Sequence, residues 1–338
     1  MAEKRRSSIH DVAHRAGVSI TTVSRVINNV STVTPQNQAK VEKAIAELNY
    51  QPDANAQRLA RGLNNAIGFV IPGYPGIFHS FYAVELIRGV GHACESLRLD
   101  MIFHITNGFN DLKTSSVGGL IFADIIENER QVKSALKSDI PCMVINHVVP
   151  DVPVHYIAVD NRKGGALGAE YLYQLGHRRI AMITGSLRMQ AGQQRRKGFL
   201  EYLTSQGISV PDQYVAEGDY SRQSARAAME QLLDLADPPS AVFVASDDMA
   251  LEAMAVAMER DLSIPDDISI VGYDDNPAAL YGPAALTTIR QPLFAMADQA
   301  VRELNRIVQK TPEKRLQKIL EPELVIRDSC AGPSQRAD

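Results

Sequence analysis

A short segment near the N-terminus carries the side chains that reading a DNA sequence requires. In "ITTVSRVINN" (20–29), isoleucine, threonine, serine and arginine occupy one side of a short helical pattern, without an acidic residue among them. Threonine and serine bind phosphates or base edges, isoleucine contacts the methyl group of thymine, and arginine binds guanine through two hydrogen bonds. The segment therefore predicts a helix that lies in the major groove. The residues expected to contact DNA are Ser19, Ile20, Thr21, Thr22, Ser24, Arg25 and Asn28.

A glycine between two short helices would position that segment. In "IHDVAHRAGVSITTVSRVINN" (9–29), Gly17 permits a tight bend, and Ser19 is placed to cap the second helix. A third helix is predicted to begin at Thr34 and Pro35. Three helices around one small core, with the second turned toward DNA, form a helix-turn-helix. The expected core residues are Val12, Ala13, Ala16, Val23, Val26, Ile27, Val41, Ala44, Ile45 and Leu48.

Charge is distributed unevenly along the 338 residues. Residues 1–62 contain nine Lys and Arg and five Asp and Glu, a net charge of +4. The whole chain has a net charge of −4, so the remainder carries −8. A basic N-terminal part on an acidic remainder is typical of a protein whose N-terminal part binds a polyanion.

From residue 67 onward, short apolar runs alternate with helical patterns. The runs are nearly continuous in apolar character, as in strands that are covered on both faces. Strand and helix in alternation predict a parallel α/β sheet with right-handed crossovers. The predicted strands are "IGFVI" (67–71), "MIFHI" (101–105), "GGLIFA" (118–123), "CMVIN" (142–146), "IAVD" (157–160), "IAMIT" (180–184), "AVFVA" (241–245) and "ISIVG" (268–272).

Several classes of protein are disfavoured by the sequence. No run of about 18 apolar residues suggests a membrane helix, and the basic N-terminus is not followed by the apolar stretch of a secretory signal. The three cysteines lie far apart and form no metal-binding pattern. No GxSxG motif, phosphate-binding loop or Cys/His pair is present. We therefore expect no enzyme activity, no metal, no cofactor and no membrane partner.

Further motifs follow one another along the chain. They are "DVAHRAGVSITTVSRVINN", "VTPQNQAKVEKAIAELNYQPDANAQRLARG", "IGFVIP", "VDNRKGGALGAEYLYQLGHRRIAMITG", "FVASDDMALEAM", "ISIVGYDD" and "LTTIRQP". In type and order they resemble the LacI (lactose repressor)/GalR family of transcription regulators. The N-terminal motif is highly specific, and the later motifs agree with it independently.

The resemblance implies a DNA-binding repressor that acts as a homodimer on double-stranded, pseudo-palindromic operator DNA in the cytoplasm, on the nucleoid. The segment 51–65 matches the family's hinge helix, in which a leucine from each subunit enters the minor groove and kinks the DNA. By this match Leu59 is that leucine, Ala56 lets two hinge helices approach, and Arg58 is suited to a phosphate contact.

The rest of the chain resembles the periplasmic sugar-binding fold. This implies a small effector, a sugar or sugar derivative, in a cleft between two lobes, at the carboxyl ends of strands. Structural roles instead of effector contacts stay open for some of the residues implied. Asp247 would cap the helix that starts near Met249, and Arg195 and Asp274 would form a structural ion pair. For the whole protein, the alternative is a DNA-binding regulator without a small-molecule effector, either constitutive or controlled by a protein partner. The implied effector contacts are Phe78, Arg195, Tyr220, Ser246, Asp247 and Asp274.

The expected fold is α/β: an N-terminal three-helix helix-turn-helix head, a hinge helix, and a two-lobed periplasmic-binding-protein-like body with parallel sheets. Three connections between the lobes are expected, near 160, 290 and 320, with "KILEPELVIRDS" (318–329) ending in the N-terminal lobe. The expected divisions are 1–50 for the DNA-binding domain, 51–65 for the hinge helix, 66–161 plus 291–326 for the N-terminal lobe, 162–290 for the C-terminal lobe and 327–338 for a flexible tail.

One departure from the family pattern concerns the connection 107–117. Its eleven residues join two predicted parallel strands, and a crossover that includes a helix needs about a dozen or more. We therefore expect the family's second body helix to be deleted or reduced to a turn. Its loss would expose part of one sheet face or leave that face for a partner to cover.

Overall fold

The structure is a computed structural model that describes residues 8–27, 33–48, 50, 65–73, 77–107, 111–123, 128–309 and 314–333. It divides into two compact units, Met1–Asn65 and Ala66–Asp338. We call the first unit the head and the second the body, and describe each by itself.

The head contains three helices, α1 (Ile9–Ala16), α2 (Ile20–Ile27) and α3 (Pro35–Glu47). Ser8 and Asp11 form a capping box at the start of α1, and Gly17 ends the helix at a φ of 64°, as the tight bend requires. Seven predicted core residues are buried together: Val12, Ala13, Ala16, Val23, Val26, Val41 and Ala44. The remaining three, Ile27, Ile45 and Leu48, pack against this core while partly exposed.

The body contains twelve strands and seven α-helices among its described residues. The strands are β1 (Ala66–Pro72), β2 (Asp100–Thr106), β3 (Gly119–Ala123), β4 (Cys142–Ile145), β5 (His155–Val159), β6 (Ile180–Ile183), β7 (Val215–Ala216), β8 (Ala241–Val244), β9 (Ser269–Asp274), β10 (Thr287–Arg290), β11 (Gln317–Leu320) and β12 (Glu323–Val325). The helices are α4 (Phe81–Leu97), α5 (Glu129–Lys137), α6 (Asn161–Gln174), α7 (Gln190–Ser205), α8 (Arg222–Leu233), α9 (Asp247–Glu259) and α10 (Leu293–Gln309).

Two six-stranded sheets form two lobes. The N-terminal lobe has the strand order β11-β5-β4-β3-β1-β2, all parallel, with α4 and α10 on one face and α5 on the other. The C-terminal lobe has the order β12-β10-β9-β8-β6-β7, with α8 and α9 on one face and α6 and α7 on the other. Its strands are parallel except for β12, which pairs antiparallel with β10. Both sheets agree with the parallel α/β sheets predicted from the apolar runs.

The chain crosses between the lobes three times among the described residues: between β5 and α6, between β10 and α10, and between β11 and β12. The crossings lie near 160, 290 and 320, as expected. However, the third crossing returns the chain to the C-terminal lobe. The assignment of 291–326 to the N-terminal lobe was therefore wrong beyond about residue 321, because β12 pairs with β10 rather than with the first sheet.

The expectation of a flexible tail over 327–338 was also wrong for its described part. Ser329 is fully buried, where its hydroxyl donates to the carbonyl of Ile270 and accepts from the amide of Thr287. Ala331 accepts from the ring of His177. Residues 327–333 thus complete the C-terminal lobe, because buried polar groups there pair with them. Residues 334–338 lie outside the described residues.

The short connection between β2 and β3 contains no helix over its described residues 111–118. Val117 is buried and Leu112 packs against the same apolar cluster, so this loop covers part of the sheet. The edge strand β2 keeps Met101 and Ile105 exposed, so the exposure is limited to part of the sheet. A segment without a helix fills the space. No helix in the described part of the chain combines the length and apolar character that a membrane crossing would need.

Candidate functional site

The first candidate site is the outer side of α2 in the head. Ser19 caps this helix: its hydroxyl accepts from the amide of Thr22 at 3.2 Å and lies 2.9 Å from the Thr22 hydroxyl. Thr21 and Arg25 are exposed, and Ile20 keeps 42% of its surface accessible although its side chain is apolar. An exposed isoleucine beside hydroxyls and an arginine supplies both apolar and hydrogen-bonding contacts to base edges.

The second candidate site is the cleft between the lobes of the body. The loop after β4 contacts the start of α7, so the carboxyl ends of strands in the two sheets face each other there. Several buried side chains at these ends contain atoms without a hydrogen-bond partner within the described residues. They are Asn128 before α5, Asn146 after β4, Thr184 after β6 and Gln291 after β10. Because buried polar atoms are normally paired, these atoms are groups that a polar ligand would satisfy.

Arg195 is the buried cation of this cleft, with 3% of its surface exposed. Its Nε donates to Asn161 at 2.9 Å and its Nη1 donates to the carbonyl of Ala245 at 2.6 Å. The guanidinium carbon lies 3.6 Å from the centre of the Tyr273 ring, a cation–π contact. The two hydrogen bonds and the contact with Tyr273 fix the guanidinium in place.

Asp274 is the buried acid beside it. One carboxylate oxygen accepts from Gln291 Nε2 at 2.6 Å. Burial raises the pKa of Asp274 above its ordinary value, and Arg195 opposes this rise. The backbone of Asp274 has a φ of 125°, a strained conformation for a residue other than glycine, and Asp275 follows at 59°. The strain fixes the direction of the Asp274 carboxyl, a feature that is frequent at ligand sites.

Known proteins resemble both parts of this chain, the head and the body. Residues 8–53 match the family model described as bacterial regulatory proteins, lacI family, and residues 169–330 match the periplasmic binding protein-like domain. The probable HTH-type transcriptional repressor ExuR of Bacillus subtilis (strain 168) is 33% identical over 331 residues, 95% of this chain and 98% of that protein. This chain belongs to the LacI family.

Solved structures of LacI-family proteins have the same architecture. A lac repressor dimer bound to operator and the anti-inducer ONPF is 30% identical, with a TM-score of 0.84 over 97% of this chain and 100% of that one. A complex of the transcriptional regulator CelR with cellobiose is 29% identical, with a TM-score of 0.73 over 96% of this chain and 100% of that one. The family and the fold class inferred from the motifs are thus confirmed. These relatives are named as transcription regulators, not as enzymes.

Among the effector contacts inferred from the LacI-family resemblance, Asp274 ends β9, Arg195 lies in the first turns of α7, and Tyr220 lies in the loop after β7. The Tyr220 ring lies against Gly185, where an added Cβ would come within 2.0 Å of the ring. Glycine after β6 is therefore what lets the ring approach. The open alternative of an ion pair between Arg195 and Asp274 is absent from the described contacts, since the guanidinium stacks on Tyr273 and the carboxylate accepts from Gln291.

The other inferred contacts have different surroundings. The Ser246 hydroxyl, rather than Asp247, caps α9 by accepting from the amide of Met249. Both carboxylate oxygens of Asp247 accept hydrogen bonds, one from the Thr288 hydroxyl at 2.6 Å and one from the Asn276 amide at 2.7 Å. Phe78 is half exposed, with its ring 5.9 Å from that of Phe103 in β2. Ser246 directly follows Ala245, whose carbonyl accepts from Arg195, and Asp247 is the first residue of α9, whereas Phe78 belongs to the N-terminal lobe.

Four predicted DNA contacts, Asn28, Ala56, Arg58 and Leu59, lie outside the described residues. Asn128, Asn146, Thr184 and Gln291 were not among the residues expected from the sequence. A signal for three of them was present, because Asn146 and Thr184 end the apolar runs "CMVIN" and "IAMIT", and Gln291 lies in "LTTIRQP". Polar residues at the ends of buried parallel strands are placed at a ligand edge. Asn128 gave no such signal.

Proposed function

We propose that this protein is a sequence-specific transcription repressor that binds a pseudo-palindromic operator as a homodimer. A small polar ligand, a sugar or sugar derivative in the cleft of the body, sets its affinity for the operator. Within this proposal, residues 1–50 bind DNA, 51–65 form the hinge, and the lobes comprise 66–160 with 291–321 and 161–290 with 322–333. The protein acts in the cytoplasm, where the operator is.

The outer side of α2 supports the DNA-binding part of the proposal. Ile20, Thr21 and Arg25 are exposed on one short helix that follows a glycine-ended helix, the arrangement in which a recognition helix enters the major groove. The net charge of +4 over residues 1–62 favours contact with phosphates. Asn28, Ala56, Arg58 and Leu59 complete the proposed contacts.

The unpaired polar atoms of the cleft carry the ligand part of the proposal. Atoms from both lobes need partners, and a molecule rich in hydroxyls can donate to and accept from them at once. Arg195 and Asp274 offer one strong donor and one acceptor beside these atoms. This observation favours a small-molecule effector over the alternative of a regulator without one.

The DNA-binding part is tested by fluorescence anisotropy at fixed salt, with duplexes from upstream of the protein's own gene. We expect a palindromic duplex to bind more tightly than its scrambled version. Arg25→Ala should weaken binding to the palindrome by about 1–3 kcal/mol and reduce the preference for it, because a base contact is lost. Lys40→Ala, an exposed cation on α3, is the control: any loss should be equal for both duplexes.

Equal binding of palindromic and scrambled DNA by the unmodified protein would contradict sequence-specific recognition. The ligand part is tested in the same assay with sugars, sugar phosphates and nucleosides. We expect one class to shift operator affinity in a saturable way. Binding that no compound shifts would favour the regulator without a small-molecule effector.

A further inference from the structure

One contact joins the two lobes at the cleft through a side chain. Gln190 is the first residue of α7 in the C-terminal lobe, and Val148 lies in the loop after β4 in the N-terminal lobe. The Gln190 carboxamide oxygen accepts from the Val148 amide at 2.8 Å, and its nitrogen donates to the Val148 carbonyl at 3.0 Å. One side chain thus satisfies both backbone groups of a single residue in the other lobe.

The position of this pair distinguishes it from the polar contacts at the chain crossings. Lys163 and Glu321, for example, form an ion pair between segments that the backbone already connects there. By contrast, β4 and α7 belong to different sheets and are separated by β5, α6 and β6 along the chain. The Gln190 bonds must therefore break when the lobes move apart at this point.

The pair is also placed beside the proposed ligand site. Asn146, whose buried side-chain Oδ1 lacks a hydrogen-bond partner, lies two residues before Val148. Arg195 lies on the same helix as Gln190, about one turn further along. Holding Val148 against Gln190 therefore holds polar groups of the two lobes on opposite sides of one site.

We propose that Gln190 is a latch that keeps the lobes closed over the cleft before a ligand binds, and that lobe closure set by this latch tunes operator affinity. The inference rests on the proposed function, since it describes the regulation of the same site. Ligands and latch act on one equilibrium between closed and open lobes, so a change in the latch alone shifts that equilibrium.

The chemistry of the pair provides two graded variants. Gln190→Ala removes both hydrogen bonds. Gln190→Glu keeps the size and still accepts from the Val148 amide, but at neutral pH it places a carboxylate oxygen against the Val148 carbonyl, where no proton is available to share. Gln193→Ala is the matched control, because Gln193 lies on the same helix and donates to Leu187 within its own lobe.

The test measures lobe separation and operator affinity in the full chain without added ligand. Spin labels at Lys137→Cys and Lys197→Cys, exposed positions on α5 and α7, report the distance between lobes by double electron–electron resonance. We expect both Gln190 variants to shift the distances to longer values, and Gln193→Ala to match the unmodified protein. Operator Kd should change by about fivefold or more, in the same direction for both variants.

Unchanged distances in both Gln190 variants, with circular dichroism showing a folded chain, would overturn the latch. Longer distances with an unchanged operator Kd would support the closing role of Gln190 and overturn its control of DNA binding. If the unmodified protein prefers no operator, the proposed function fails, and the distance measurement still decides whether Gln190 holds the lobes.

Discussion

At the residue scale, Arg195 is held by geometry that only a guanidinium provides. Its Nε and Nη1 donate to partners on different elements while its planar face rests on Tyr273. A lysine can keep the charge but has one compact donor group and no planar face. Arg195→Lys should therefore lower the free energy of unfolding by about 1–3 kcal/mol, since buried acceptors lose their donor.

Urea denaturation followed by circular dichroism measures this difference. Arg196→Lys is the control, because Arg196 is the next residue on α7 and is exposed, so its change should stay within about 0.5 kcal/mol. Equal stability of the two variants would show that a lysine can replace both the guanidinium hydrogen bonds of Arg195 and its contact with the Tyr273 ring.

At the scale of an element, the C-terminal segment 327–333 depends on the protonation of His177. Its Nε2 lies 2.8 Å from the carbonyl of Ala331, and its Nδ1 lies 2.9 Å from the Ser240 hydroxyl. A neutral ring that donates from Nε2 can accept at Nδ1, so the neutral form fits this site. Burial lowers the pKa of His177 below its ordinary value, and the hydrogen bond to Ala331 opposes this.

The lowered pKa sets the direction of the pH dependence. Between the pKa of folded His177 and that of the unfolded residue, near 6.5, the unfolded chain binds more protons. The stabilisation is therefore present above about pH 6.5 and is lost as the pH falls toward the folded pKa. Burial raises the pKa of Asp247 and Asp274, so these carboxyls contribute in the opposite direction between pH 5.5 and 7.5. We therefore expect the midpoint of urea unfolding to lose less, or gain more, in His177→Gln than in the unmodified protein as the pH falls from 7.5 to 5.5.

The exposed His10→Gln in the head is the control and should keep the full pH dependence. His104 and His155, whose pKa values are also lowered by burial, contribute in the same direction. The comparison of slopes therefore isolates His177. A slope that His177→Gln leaves unchanged would contradict its role in holding the segment.

At the scale of the whole molecule, exposed apolar side chains of the body suit a second copy. Met101 and Ile105 lie on β2, an edge strand of the first sheet, and Tyr281 of the C-terminal lobe is 86% exposed. A symmetric dimer brings each residue of such a surface near the same surface of its partner. Ile105→Asp combined with Tyr281→Asp should therefore yield monomers and abolish tight operator binding.

Light scattering after size-exclusion chromatography measures the mass, and anisotropy measures operator binding. Ile319→Asp is the matched control, because Ile319 is a half-exposed apolar residue on β11, the opposite edge of the same sheet. It should remain a dimer. Dimers of the double variant would place the interface elsewhere.

Much of the fold was predictable because local patterns and burial agree. The apolar runs located β1 to β6, β8 and β9, since strands covered on both faces must be apolar throughout. The short strands β7, β10, β11 and β12 were missed. The strand β12 has only three residues and pairs antiparallel, so its partner is set by contacts with β10 that no local signal encodes.

Some residues of the candidate site were likewise predictable from the sequence, and the roles of others were not. Arg195 and Asp274 were inferred from the family resemblance, and the structure buries both side chains. The role of Asp247 depended on Thr288 and Asn276, which lie 41 and 29 residues away and occupy both of its oxygens. Its side chain therefore holds the loop after β9 by a hydrogen bond, a role that neither motif nor spacing reveals.

The sequence by itself determined the helix-turn-helix core and the parallel sheets, because both depend on residue type and local period. Its motifs also carried the family resemblance, which implied the three crossings. Only the tertiary structure decided where the C-terminal segment ends, which polar atoms of the cleft lack partners, and that Gln190 reaches Val148 across the lobes. Those features depend on distances between residues far apart in the chain, and such distances exist only once both sheets have packed.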